Sequence, residues 1–166
     1  MLLCLIEEVL AKASQPQSAQ ATPGDHLPED PSEQTLPGNG PQGDGNWRAN
    51  PQLGEAIALF NRGEWYACHD LIEDLWHQCQ GPDRQALQGL LQIAVAQLHL
   101  ERKNFRGATM LMGEGLGRLK PYGSEALGLE LPPLLAAVSR RLQALQQGLE
   151  PGEGPLPRLG RPRADA

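Results

Sequence analysis

From Pro51 onward, apolar residues recur every three or four positions, and the pattern breaks only where Gly and Pro intervene. That period lays an apolar stripe along one side of a helix. Pro51 stands where a first helical turn accepts proline, and QLGEAIALF carries a short helix to about Asn61-Arg62-Gly63. A second helix runs from Glu64 to Gln80 and is stopped by Gly81-Pro82. The third opens at Pro82-Asp83 and reaches about Lys103, the fourth spans Phe105 to Leu119 before Pro121, and the fifth runs from Pro132 or Pro133 to Gly148. Short turns between the second, third and fourth helices favour antiparallel neighbours. The pattern therefore predicts an all-α fold, a compact up-down bundle of about five helices over residues 51–148.

Outside that span the period survives only at the start of the chain. Leu2, Leu3, Ile6, Val9 and Leu10 keep helical spacing, which predicts a short amphipathic helix over residues 1–13. Residues 14–50 are rich in Pro, Gly and polar side chains, with nothing to offset the entropy of ordering, and read as a disordered linker with Trp47 as a docking point at its end. Residues 149–166 read as a disordered tail. Charge sharpens this division. Residues 1–50 hold two basic and seven acidic side chains, whereas residues 51–148 hold nine and ten, so most of the net charge of -6 belongs to the N-terminal part. No basic stripe with interleaved aromatics is present, which argues against a nucleic-acid partner.

The opening MLLCLIEEVL has no basic residue before its apolar run, and Glu7 and Glu8 follow at once, so it reads as neither a signal peptide nor a membrane span. Cys68 and Cys79 lie on one predicted helix, eleven residues apart. That is about 16 Å of rise, too far for a disulfide. Three cysteines without a paired framework point to a reducing compartment and a cytoplasmic protein.

On a helical wheel, Leu71, Leu75, Cys68, Cys79, Ile72, Trp65 and Trp76 fill one arc of the second helix. His69 follows beside Trp76, then Glu73, which makes His69 and Glu73 a pair one turn apart on the rim of the buried face. Asp70, Asp74 and His77 read as a solvated face. The third helix is apolar on two sides, with Leu87, Leu91, Ala94, Val95 and Leu98 on one and Gly89, Ile93, Ala96 and Leu100 on the other. Such a helix has neighbours on both sides and is the central one. Between the two faces runs a polar stripe of Gln88, Gln92 and His99, and side chains wedged there need partners. His69 and Glu73 on the preceding helix are the natural candidates.

Two readings follow. In one, Glu73 orients His69 within a buried polar network completed by Gln88, Gln92 and His99. In the other, His69, Glu73 and His99 converge in a groove beside Trp76. That groove would hold a protein partner or small ligand, or a divalent metal, for which two imidazoles and a carboxylate are a known hydrolytic zinc set. The pattern does not select an oligomeric state. Templates for phosphate-cradling loops, nucleophile elbows and paired Cys-x-x-Cys motifs are absent, and Cys68 reads as core.

FNRGEWYACHDLIEDLWHQ, with LQGLLQIAVAQLHLERKNFRGATMLMGEGLGRLKPY after it, resembles the bacterial and archaeal family known as domain of unknown function 309. The match falls on Phe60, Gly63, Tyr66, Ala67, His69, Glu73 and Trp76, then on Gln88, Gly89, Gln92, Ala94, His99, Asn104, Gly107, Ala108, Leu111 and Leu119. The resemblance implies a small helical bundle and metal-dependent hydrolysis as the alternative to a binding role, with no known substrate. Two departures stand out. Asp70 replaces the family's usual glutamate after His69, and Gly113, Gly115 and Gly117 occupy the fourth helix, each costing about 1 kcal/mol against alanine unless something packs closely there. There is also a faint internal echo, in which Asn61–Cys68 and Arg102–Ala108 both run from a polar turn through an aromatic into a helix.

Overall fold

A computed structural model describes residues 45–152 and 154–163. The expected helix over residues 1–13 and most of the linker lie outside the described residues. Five α-helices follow in order: α1 (Pro51–Arg62), α2 (Trp65–Gln78), α3 (Asp83–Glu101), α4 (Phe105–Leu119) and α5 (Pro132–Gln146). Each packs chiefly on the helix before and after it in the chain, as short connections dictate.

Local chemistry explains the boundaries. The Asn50 side chain accepts the Leu53 backbone N–H at 3.0 Å, Pro51 fills the first turn, and Gly63 ends α1 at φ 75°. Asn104 repeats the device for α4, accepting the Gly107 N–H at 3.0 Å. The internal echo is thus a repeated turn. Gly63 and Lys103 are both left-handed, and the next residue's N–H returns to a carbonyl five residues back, Glu64 to Leu59 at 3.0 Å and Asn104 to His99 at 2.8 Å. The far end of α2 is closed by Arg84. Its Nη1 donates to the carbonyls of Trp76 (2.9 Å) and Cys79 (3.1 Å) while the guanidinium stacks 3.8 Å over the Trp76 ring. A cation there also meets the negative end of the helix dipole.

The core runs along α3, where Ala86, Leu87, Leu90, Ile93, Ala94 and Ala96 are fully buried. Its axis comes unusually close to α4. A Cβ on Gly115 would lie 2.8 Å from Ile93 Cγ1 and 2.9 Å from the Gly89 carbonyl, and one on Gly89 would meet Leu119 Cγ at 2.8 Å. Close packing explains Gly115. Gly113 and Gly117 face open space and have no such reason.

Three features depart from the pattern-based reading. Between α4 and α5 lies a hairpin, β1 (Glu125–Ala126) paired antiparallel with β2 (Leu129–Glu130). Its two-residue turn holds Leu127 and Gly128 at φ 56° and 67°, the left-handed pair of a type I′ turn. Leucine costs roughly 1–2 kcal/mol in that region, which burial of its side chain offsets. Two-residue strands are too short to carry a period. The domain also begins before residue 51. A 3-10 turn, Trp47–Ala49, docks on α3 as its indole N–H donates to Asp83 Oδ2 at 2.5 Å.

Finally, the stretch expected to be a disordered tail lies along the bundle through residue 163. Leu159 is only 4% exposed, its backbone N–H and C=O both bond the Asn61 side chain at 2.8 Å, and Glu130 N–H donates to Gly160 O at 2.8 Å. A segment bound through its backbone needs no hydrophobic period, so composition concealed it.

Gly115→Ala is expected to destabilise the domain by about 1–3 kcal/mol through overpacking, whereas Gly113→Ala and Gly117→Ala each stabilise it by up to about 1 kcal/mol. Urea unfolding of the three variants checks both signs; a stabilised Gly115→Ala would contradict the close approach.

Candidate functional site

The α2 helix carries Trp65, Cys68, Ile72 and Leu75 into the core, as its spacing requires. His69 goes with them and is 3% exposed. Its Nδ1 lies 3.3 Å from Asp70 Oδ1, long for a hydrogen bond, and ligand-type atoms of His69, Asp70 and Glu73 all fall within 4.8 Å of one another. One face of one helix thus presents an imidazole and two carboxylates. Among the described residues this is the sole group of that kind. Asp70 faces solvent, as its place on the wheel requires, yet it belongs to the group. It is half-exposed, and it, rather than Glu73, pairs with His69. Glu73 instead has His77 one turn on, with Oε1 3.8 Å from Nε2. Trp76 borders the cluster one turn from Glu73 on the sequence; its indole nitrogen is buried without a hydrogen-bond partner among the described residues. Cys68 stays a core thiol, donating to the Ala56 carbonyl at 3.4 Å, with its pKa pushed up to about 12 by burial.

The polar stripe of α3 is satisfied differently from expectation. Gln92, buried, donates from Nε2 to Glu114 Oε2 (2.6 Å) and accepts Arg118 Nε (3.0 Å) at Oε1; Arg118 also donates to Gln85 Oε1 at 2.6 Å. Its partners are on α4, not α2. Gln88 sits half-buried one turn earlier. His99 is not part of the His69 group. It is 8% exposed and faces Asn104, whose Nδ2 lies 3.0 Å from His99 Nδ1. Because Asn104 Oδ1 is committed to the Gly107 N–H, its amide nitrogen must point at the ring, and Nδ1 is the acceptor. The ring N–H then sits on Nε2, buried and without a partner among the described residues. Gln97, at 2% exposure, was also missed; its Nε2 reaches the Ile93 carbonyl at 3.5 Å while Oε1 has no partner there. Nothing in a single sequence distinguishes it from a surface glutamine. Asn104 and Asp70 were both legible as polar residues, but not their pairings.

Burial, and secondarily the charge of Arg102, hold His99 below the ordinary imidazole pKa. The unfolded chain therefore takes up a proton first as pH falls. The stability this provides is complete above about pH 6.5, and is lost as the pH drops through that value toward the folded-state pKa. His99→Gln is expected to flatten the fall in urea midpoint between about pH 7.5 and 5; an unchanged slope would show that His99 does not carry it.

No helix among the described residues is long and apolar enough to cross a membrane. No curated protein matches the chain. Residues 53–111, which hold α2, α3 and the His69–Asp70–Glu73 group, match a family model. That family is the one described as Domain of unknown function (DUF309), and it is what this helical segment is similar to.

Proposed function

We propose that the domain is a binding module whose site is a divalent-cation centre on α2, built from His69, Asp70 and Glu73. The observation that carries this is the clustering of their three ligand atoms within 4.8 Å around a buried imidazole. One nitrogen and two carboxylate oxygens suit Mn²⁺, Fe²⁺ or Zn²⁺. Burial fixes the His69 ring and largely covers Glu73, while the half-exposed Asp70 carboxylate closes on an ion from the solvent side. Three protein ligands leave positions for water or for an acidic group of a partner. His77 competes for Glu73 from the far side.

The alternative, a hydrolase that also uses His99, has less support because His99 is engaged with Asn104 and lies outside the group. The two readings part on one variant. Titration calorimetry with Mn²⁺ and Zn²⁺ is expected to give one site per chain and a raised melting temperature, worth about 2.7 kcal/mol at a hundredfold excess over Kd. Asp70→Asn should weaken binding about tenfold or more, and His99→Gln should leave it unchanged. Loss of binding in His99→Gln would favour the hydrolase set. No heat and no thermal shift with either ion would overturn the site.

A further inference from the structure

A second site lies apart from the His69 group, where the Trp47 turn, the start of α3, the 3-10 turn Lys120–Tyr122 after α4 and the β-hairpin meet. A cleft of about 470 Å³ opens there, lined among others by Trp47, Arg48, Asp83, Tyr122, Glu125 and Leu127. That volume is in the range of small-molecule pockets. Three independent features set the cleft apart from a surface dent.

The first is Asp83. A carboxylate in a first helical turn is ordinary when exposed, but this one is 6% exposed. It has no basic partner among the described residues, and its one hydrogen bond from a described side chain is the Trp47 indole at Oδ2. The second is the distribution of charge. Arg48, the lone cation among the lining residues, is taken by Glu125 at 2.9 Å, so the charge of Asp83 is left over. The third is the wall itself. Trp47 and Tyr122 give it two aromatic groups, and Leu127 gives it a left-handed backbone that leucine adopts only under strain. Tyr122 spends its O–H on the Pro82 carbonyl. Burial, and less strongly the carboxylate of Asp83, push its phenol above the ordinary tyrosine range, so it stays neutral.

A buried carboxylate without an ion-pair partner, beside aromatic rings, favours a cation. A bare metal ion is the poorer occupant, since the cleft holds two carboxylates and no third ligand of the kind grouped at His69. We propose that this cleft binds a small organic ammonium ion, its charge set against Asp83 and its carbon substituents against Trp47 and Tyr122.

The test is an NMR titration of the full chain, following the Trp47 indole N–H, identified by its loss in Trp47→Phe. Choline and n-butylammonium chloride are the probes. Sodium chloride at matched ionic strength and the neutral choline isostere 3,3-dimethylbutan-1-ol are the controls. Saturable shifts with one or both ammonium ions, at a Kd in the low millimolar range or tighter, are expected, with neither control reproducing them. Choline alone marks a quaternary ligand, and n-butylammonium alone a primary amine. Asp83→Asn should weaken binding about tenfold, and Glu125→Gln, at the exposed rim, a few-fold. Equal shifts with the neutral isostere, no saturation by about 50 mM, or unchanged affinity in a folded Asp83→Asn would overturn the proposal. Should Asp83→Asn fail to fold, unchanged affinity in Glu125→Gln would do so.

Discussion

The approach of α3 to α4 at Gly89 and Gly115 constrains the whole domain, because neither helix can move apart without emptying the core between them. Backbone meets backbone there, and the Gly115 position has no room for a methyl group. That proximity brings Gln92 within reach of Glu114 and Arg118, so a buried amide is satisfied across the interface rather than by water. It also brings Asn104 back over His99 at the tight turn that joins the pair. A central helix buried on nearly every side can keep polar residues only where a neighbour supplies donors and acceptors.

With Gln92 satisfied from α4 and His99 engaged by Asn104, α2 is released from the role. His69, Asp70 and Glu73 do not complete a network begun on α3; they form a group on one helix, with its imidazole anchored in the core, Glu73 largely covered and the Asp70 carboxylate toward solvent. Such an arrangement has a preorganised half and an adjustable half. It is the combination expected of a site that captures something, and unlike a spent structural network it leaves acceptor capacity over.

The domain is closed by segments with no hydrophobic period. The Trp47 turn, the hairpin and the strap through Leu159 are held by single side chains acting on backbone: Asn61 on Leu159, Arg161 on the Arg48 carbonyl, Tyr122 on the Pro82 carbonyl. These ties bring residues more than seventy positions apart into one neighbourhood, as with Arg48 and Glu125. A cleft with its own charge balance results.

What the chain's order alone determined is the set of helices and their ends. Apolar spacing, Asn50, Gly63, Asn104 and the prolines act within one turn, so α1 to α5 are legible without tertiary knowledge. The place of the candidate group was legible too, because His69 and Glu73 share a helix face. Its membership was not. Asp70 adjoins His69 in sequence, and adjacency on a helix normally turns side chains apart; only the rotamers of the packed structure bring the two together. Gln92 and His99 took partners that a wheel cannot choose between, since a helix with neighbours on both sides offers two. The strap and the cleft were decided wholly by tertiary structure, because backbone hydrogen bonds and shape leave no period in the sequence.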